Sequence, residues 1–155
     1  MKTLKFIGLI CFCITLSAAQ AGQNLLQMPI GTKIIFKQDF TIPPAETSVL
    51  IGKASDGYIT ECRLYLKVFD NSLRKIPKGT EYSIRDTRES YGSRVDLLLE
   101  SKSLNSIACT TEKPWRNDQP IPENYIAYTT LNQAQRALSG KIELKVNQEA
   151  KIIKD

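Results

Sequence analysis

From Tyr58 to Phe69 the chain alternates with period two. Tyr58, Thr60, Cys62, Leu64, Leu66 and Val68 fall on one side. Glu61, Arg63 and Lys67 fall on the other, with Ile59, Tyr65 and Phe69 among them. Successive side chains of a strand point to opposite faces, so this pattern predicts a half-buried antiparallel strand with Cys62 facing inward. Lys33 to Ile42 predicts a second strand, with Phe36, Phe40 and Ile42 in step by twos around Asp39 and Thr41. Pro43-Pro44 ends it, because proline cannot donate to a ladder. A short apolar run, Ser48 to Gly52, and a turn at Ser55-Asp56-Gly57 follow. Further strand-like runs lie at Tyr82 to Ile84, Val95 to Leu99 and Leu104 to Cys109, the last two joined by a turn at Glu100-Ser101-Lys102-Ser103.

Periodicity changes near the C-terminus. Leu131, Ala134 and Leu138 form a short helical stripe with Ala137 beside it, and Thr130-x-x-Gln133 fits a capping box. Gly140 stands where a helix end favours a left-handed residue. Ile142, Leu144 and Val146 then alternate with Lys141, Glu143 and Lys145, which predicts a closing strand that returns to pair with an early one. About seven short strands and one late helix predict a mainly β fold: a small antiparallel β-barrel or sandwich with one short C-terminal helix packed on it. Lys113 to Asn124, with Pro114, Pro120 and Pro122, reads as a long loop. Residues 147–155 read as a polar tail.

One short pattern occurs twice. Pro29-Ile30-Gly31-Thr32 and Pro77-Lys78-Gly79-Thr80 each precede a strand-like run, with their glycines 48 positions apart. The repeat is read as the same turn chemistry used twice, in preference to a duplicated hairpin.

The N-terminal segment follows a different logic. Lys2 and Lys5 precede an apolar run from Phe6 to Leu16, and small residues surround Ala19-x-Ala21. This is the layout of a cleavable secretory signal peptide over residues 1–21. The apolar run is well short of the roughly 20 residues a membrane-spanning helix needs. The expected mature chain is one β-rich domain over residues 22–146 followed by the tail, located in the periplasm or secreted.

Loss of that segment changes the composition. The formal charge of +5 falls to +3 once Lys2 and Lys5 are removed, and basic residues alternate with acidic ones along the remainder. Such a balance gives no nucleic-acid footprint. Cys11 and Cys13 depart with the segment, leaving Cys62 and Cys109. In an oxidising compartment such a pair is expected to form one structural disulfide. Closing a loop of 47 positions contributes roughly 3–4 kcal/mol on the chain-entropy account. The chain has no histidine, which excludes Ser-His-Asp and Cys-His chemistry and removes the commonest zinc and copper ligand. No Gly-rich phosphate loop or calcium loop stands in the sequence, so no cofactor and no metal are expected.

Three groups of residues are candidates for function. Arg85, Arg88, Tyr91 and Arg94 fall on an expected hairpin tip spanning residues 85–94, where arginine forks suit carboxylates or phosphates. Asp86 and Glu89 would balance those charges locally. Trp115 in its proline-bounded loop is either a binding anchor or a core plug. Asp96 and Glu100 share one strand face, about 13 Å apart at the usual rise, wider than a glycosidase pair and on a face expected to be solvated. No catalytic residue is therefore assigned, and no motif is long enough to name a family. The sequence predicts an exported, non-catalytic β-domain that binds another protein or an envelope component. The alternative is a secreted inhibitor or effector that blocks a hydrolase with the 85–94 tip.

Overall fold

The structure is a computed structural model that describes residues 23–67, 75–90, 93–113 and 129–146. The expected signal peptide, Tyr91, Trp115, the loop from Pro114 to Asn124 and the tail 147–155 lie outside the described residues. Nine strands and one α-helix are described. The strands are β1 Lys33–Phe36, β2 Phe40–Thr41, β3 Ser48–Ser55, β4 Ile59–Leu66, β5 Lys75–Ile76, β6 Glu81–Ser90, β7 Arg94–Leu99, β8 Leu104–Glu112 and β9 Ile142–Lys145. The helix α1 is Leu131–Leu138, and a 3-10 turn at Leu25–Gln27 precedes β1.

Seven strands form one antiparallel sheet in the order β3-β4-β8-β7-β6-β1-β9, curled into a half-barrel. The mainly β class with one short late helix is as expected, and β9 returns to pair with β1, as its alternation predicted. The period-two pattern of β4 is realised with Cys62, Leu64 and Leu66 buried on the concave side. Val95, Leu97 and Leu99 from β7 and Ile107 and Cys109 from β8 meet them there.

The expected single strand over Lys33 to Ile42 is instead two strands in two sheets. β1 joins the large sheet, and β2 pairs with β5. The break follows from what holds its middle. The Phe36 carbonyl accepts from the Gly79 amide at 2.7 Å, and the Asp39 carboxylate accepts from the Lys78 amide at 2.7 Å. The chain therefore bends to follow the Pro77 turn. Phe40 lands edge-on to Phe36, with ring centroids 5.4 Å apart.

The two Pro-x-Gly-Thr turns are used alike. In each, the threonine amide donates to the proline carbonyl at 3.2 Å, and each glycine has a φ above +80°. The segments they begin, Pro29 to Phe36 and Pro77 to Ile84, pair with each other through β1 and β6. The bonds repeat in mirrored roles. Gly31 donates to Ile84 and Ile84 to Thr32, just as Gly79 donates to Phe36 and Phe36 to Thr80. A local pseudo-twofold axis thus passes through the Ile34–Tyr82 pair.

Helix α1 bridges the two edges of the half-barrel, packing on β3 and β4 at one side and β9 at the other. Its capping box is formed by Thr130 and Gln133 as expected, and Leu131, Ala134, Ala137 and Leu138 are buried. Gly140 has φ +74°, the left-handed value its position called for. The helix sits directly on β3. A Cβ built on Gly52 would lie 1.9 Å from the Ala137 carbonyl oxygen, so only glycine permits this approach. Arg136 also pairs with Asp56 in the β3–β4 turn.

The N-terminal arm closes one end of the concave side. Leu25 donates to the Thr129 carbonyl at 2.9 Å, and Leu131 to the Gln23 carbonyl at 2.8 Å. Nearby, the buried hydroxyls of Thr60, Thr111 and Thr129 form a chain with contacts of 3.0 and 2.9 Å. Each buried hydroxyl there has a partner, as buried polar groups require.

The loop after β2 contains a type II-like turn in which the Glu46 amide donates to the Pro43 carbonyl. Ala45, at its third position, has φ +68°. A left-handed conformation costs a non-glycine residue roughly 1–2 kcal/mol. Ala45→Gly is therefore expected to raise stability, by about 0.5–1 kcal/mol after the extra unfolded-chain entropy of glycine is offset. Chemical denaturation of the two proteins side by side measures this; an unchanged or lowered midpoint would contradict the strain.

Candidate functional site

Among the described residues the concave side of the sheet is packed with core side chains, and exposed polar groups stand on the convex face and the rims. Register fixes what stands there. One row across five strands reads Leu50 on β3, Arg63 on β4, Ala108 on β8, Asp96 on β7 and Arg88 on β6. The next row reads Ser48, Tyr65, Ser106, Leu98 and Asp86.

The residues expected at a hairpin tip fall in three places. Arg85 and Arg88 are within β6, not at its end, because β6 continues to Ser90. Arg85 is the extra residue of the bulge between Ile84 and Asp86, and it is exposed. Arg88 is exposed and forms an ion pair with Asp86 at 3.3 Å, the local balance the sequence suggested. Arg94 opens β7 and is committed to the fold. Its guanidinium donates to both carboxylate oxygens of Asp96 at 2.8–3.2 Å. The same group lies 4.6 Å from the centroid of the Tyr65 ring and donates to the Tyr65 hydroxyl at 3.3 Å.

Asp96 corrects the expectation of a solvated carboxylate. It is 6% exposed, although it points to the convex face. The cause is Arg94, whose side chain extends from the Thr110 row past Asp96 towards Tyr65 and covers the small residues of β8 between them. Ala108 and Ser106 are buried there at 3% and 1% exposure. Hydrogen bonding to Asp96 holds the Arg94 guanidinium above its already high ordinary pKa, against the opposing effect of its partial burial. With both oxygens bonded to a permanent cation, Asp96 is poorly placed to take a proton from a substrate. Glu100, its expected companion, is exposed beyond the end of β7.

The arrangement offers charged recognition. Arg63 and Arg85 are exposed with no ion pair among the described residues, and Arg88 shares only a surface pair. A surface pair of this kind is worth at most about 1 kcal/mol, so a partner can displace it. Among the described residues no cluster of three His, Cys, Asp or Glu side chains could hold a metal ion. No described helix is long and apolar enough to cross a membrane.

Sequence reasoning missed Tyr65, Arg63 and Leu50 as neighbours of the arginines. Tyr65 carried a signal: it is a large aromatic on the polar side of an alternating strand. The register that brings it beside Arg94 depends on two strand pairings, β4 with β8 and β8 with β7, and is not encoded locally. The disulfide expectation is met, with Cys62 and Cys109 directly opposite on β4 and β8 and Cα atoms 4.1 Å apart. No family model, no curated protein and no solved structure matches the chain.

Proposed function

We propose that the protein is an exported, non-catalytic β-domain, periplasmic or secreted, that binds another protein or an envelope component through its convex sheet face. The observation that carries this reading is the exposure of Arg63, Arg85 and Arg88 on one face of a disulfide-locked sheet whose interior is filled. Guanidinium forks on a rigid strand lose little freedom on meeting a carboxylate or phosphate. The inhibitor reading is weaker. Arg88 stands within β6 and not at a tip, and Arg94 is tied to Asp96. That arrangement favours face-on contact over insertion into a cleft.

The test is capture on the immobilised mature chain from envelope and extracellular fractions, with bound species identified by mass spectrometry. The Arg85→Glu/Arg88→Glu double variant is expected to lose at least tenfold in affinity for what is captured. Turnover of a wall polymer or peptide library that disappears on substituting Asp96 would instead make the protein an enzyme and end this reading.

A further inference from the structure

The half-barrel leaves two strand edges, and they are guarded differently. On β9 the inward Ile142 and Leu144 alternate with exposed Glu143 and Lys145, and Glu143 is paired with Lys37. Charges along an edge deter pairing with another chain. That pair holds the Glu143 carboxyl below its ordinary range, chiefly by the hydrogen bond from Lys37.

β3 is the opposite case. Its eight residues include one charged side chain, Lys53, which is already paired with Glu61 at 2.7 Å. Leu50 on its convex face is 43% exposed. The cross-strand neighbour of Leu50 is Arg63, exposed and without an ion pair among the described residues. No backbone hydrogen bond reaches β3 from any described residue beyond β4.

We propose that the outer edge of β3 docks an extended segment of another protein, which sets an apolar residue beside Leu50 and a carboxylate within reach of Arg63. This rests on the protein-binding reading above and gives it a site contiguous with the arginine-bearing face. An added strand would lie about 4.8 Å from β3, and main-chain pairing would supply affinity while alternate side chains supply selectivity. Ser48, next to Leu50 on the same face, is small, so it leaves Arg63 a path across β3 to the added strand. The bulge between Leu50 and Gly52 offsets a regular partner, so the docked segment is short. A second copy pairing β3 to β3 is disfavoured by charge. Ser48 to Ser55 contains no acidic residue and Lys53 is neutralised by Glu61 of its own sheet, so a second copy would offer Arg63 no carboxylate and would bring its own Arg63 instead.

Panning phage-displayed ten-residue peptides against the full mature chain tests this. Enriched peptides are expected to alternate apolar and acidic residues. Synthetic versions should slow amide exchange in β3. Leu50→Lys and Arg63→Glu should each weaken binding at least tenfold without moving the thermal midpoint, and Lys102→Ala should change nothing. The proposal is overturned by absent enrichment, or by protection elsewhere than β3. It also falls if the free protein protects β3 in a concentration-dependent way while sedimenting as a dimer. Captured partners that respond to the Arg85/Arg88 variant while β3 stays unprotected would leave the binding reading standing and remove this one.

Discussion

Reduction of the Cys62–Cys109 bridge is expected to lower stability by about 4 kcal/mol, the chain-entropy value for a loop of 47 positions. Single domains are stable by only about 5–15 kcal/mol, so this is a large share. The two sulfurs are fully buried between β4 and β8. Their removal also touches packing, so two measurements are needed. Urea unfolding of oxidised and reduced wild-type protein isolates the loop constraint. The Cys62→Ala/Cys109→Ala variant adds the loss of buried sulfur volume and should fall at or below the reduced protein. Because both cysteines are 0% exposed, reductant should act only when the sheet opens. Reduction should therefore be slow in native buffer and rise steeply in mild denaturant. Fast reduction in buffer, or equal midpoints for the two redox forms, would contradict the account.

Gly52→Ala is expected to lower stability by about 3 kcal/mol, the upper part of the range for overpacking. The added methyl meets the Ala137 carbonyl at 1.9 Å and its carbon at 2.6 Å, both backbone atoms that cannot swing aside as a side chain would. Relief requires α1 to lift from β3, which also loosens Leu138 and the hold of Arg136 on Asp56. The thermal midpoint should drop by about 10 °C for a domain of this size. Gly57→Ala serves as a comparison: a Cβ there meets nothing within 4 Å, and only its φ of +87° is strained. It should cost about 1–2 kcal/mol. An equal loss at both positions would mean that backbone conformation, not the helix contact, decides the effect at Gly52.

Local signals carried much of this fold. The alternation through Cys62 placed the cysteine on the buried face, and Thr130, Gln133 and Gly140 marked both ends of the helix. Each of these depends on neighbours within a turn or a strand. What escaped the sequence depended on distant chain. The bend after Phe36 has no glycine or proline of its own; it is imposed by bonds to Lys78 and Gly79. The role of Gly52 is set by Ala137, far along the chain, and a lone glycine in a strand does not name the backbone that approaches it. The burial of Asp96 likewise depends on Arg94 crossing the small residues of β8 to reach Tyr65. The sequence placed Arg94 on a tip and Asp96 on a strand; β7 begins at Arg94, so the two share one strand face and their pairing removes the arginine from a role at a tip.

The place of β1 between β6 and β9 bears on the order in which the chain can fold. β6, β7 and β8 follow one another closely in sequence and pair in that order, and β3 and β4 form a hairpin, so these pairings close small loops. The first described strand, β1, has no such local partner. One neighbour lies some 50 residues downstream, and the other is the last described strand. Loop closure over such distances is slow, and its entropy must be met before any contact rewards it. A chain emerging N-terminus first therefore holds β1 without a sheet partner until β6 has followed, and it completes the sheet only when β9 arrives.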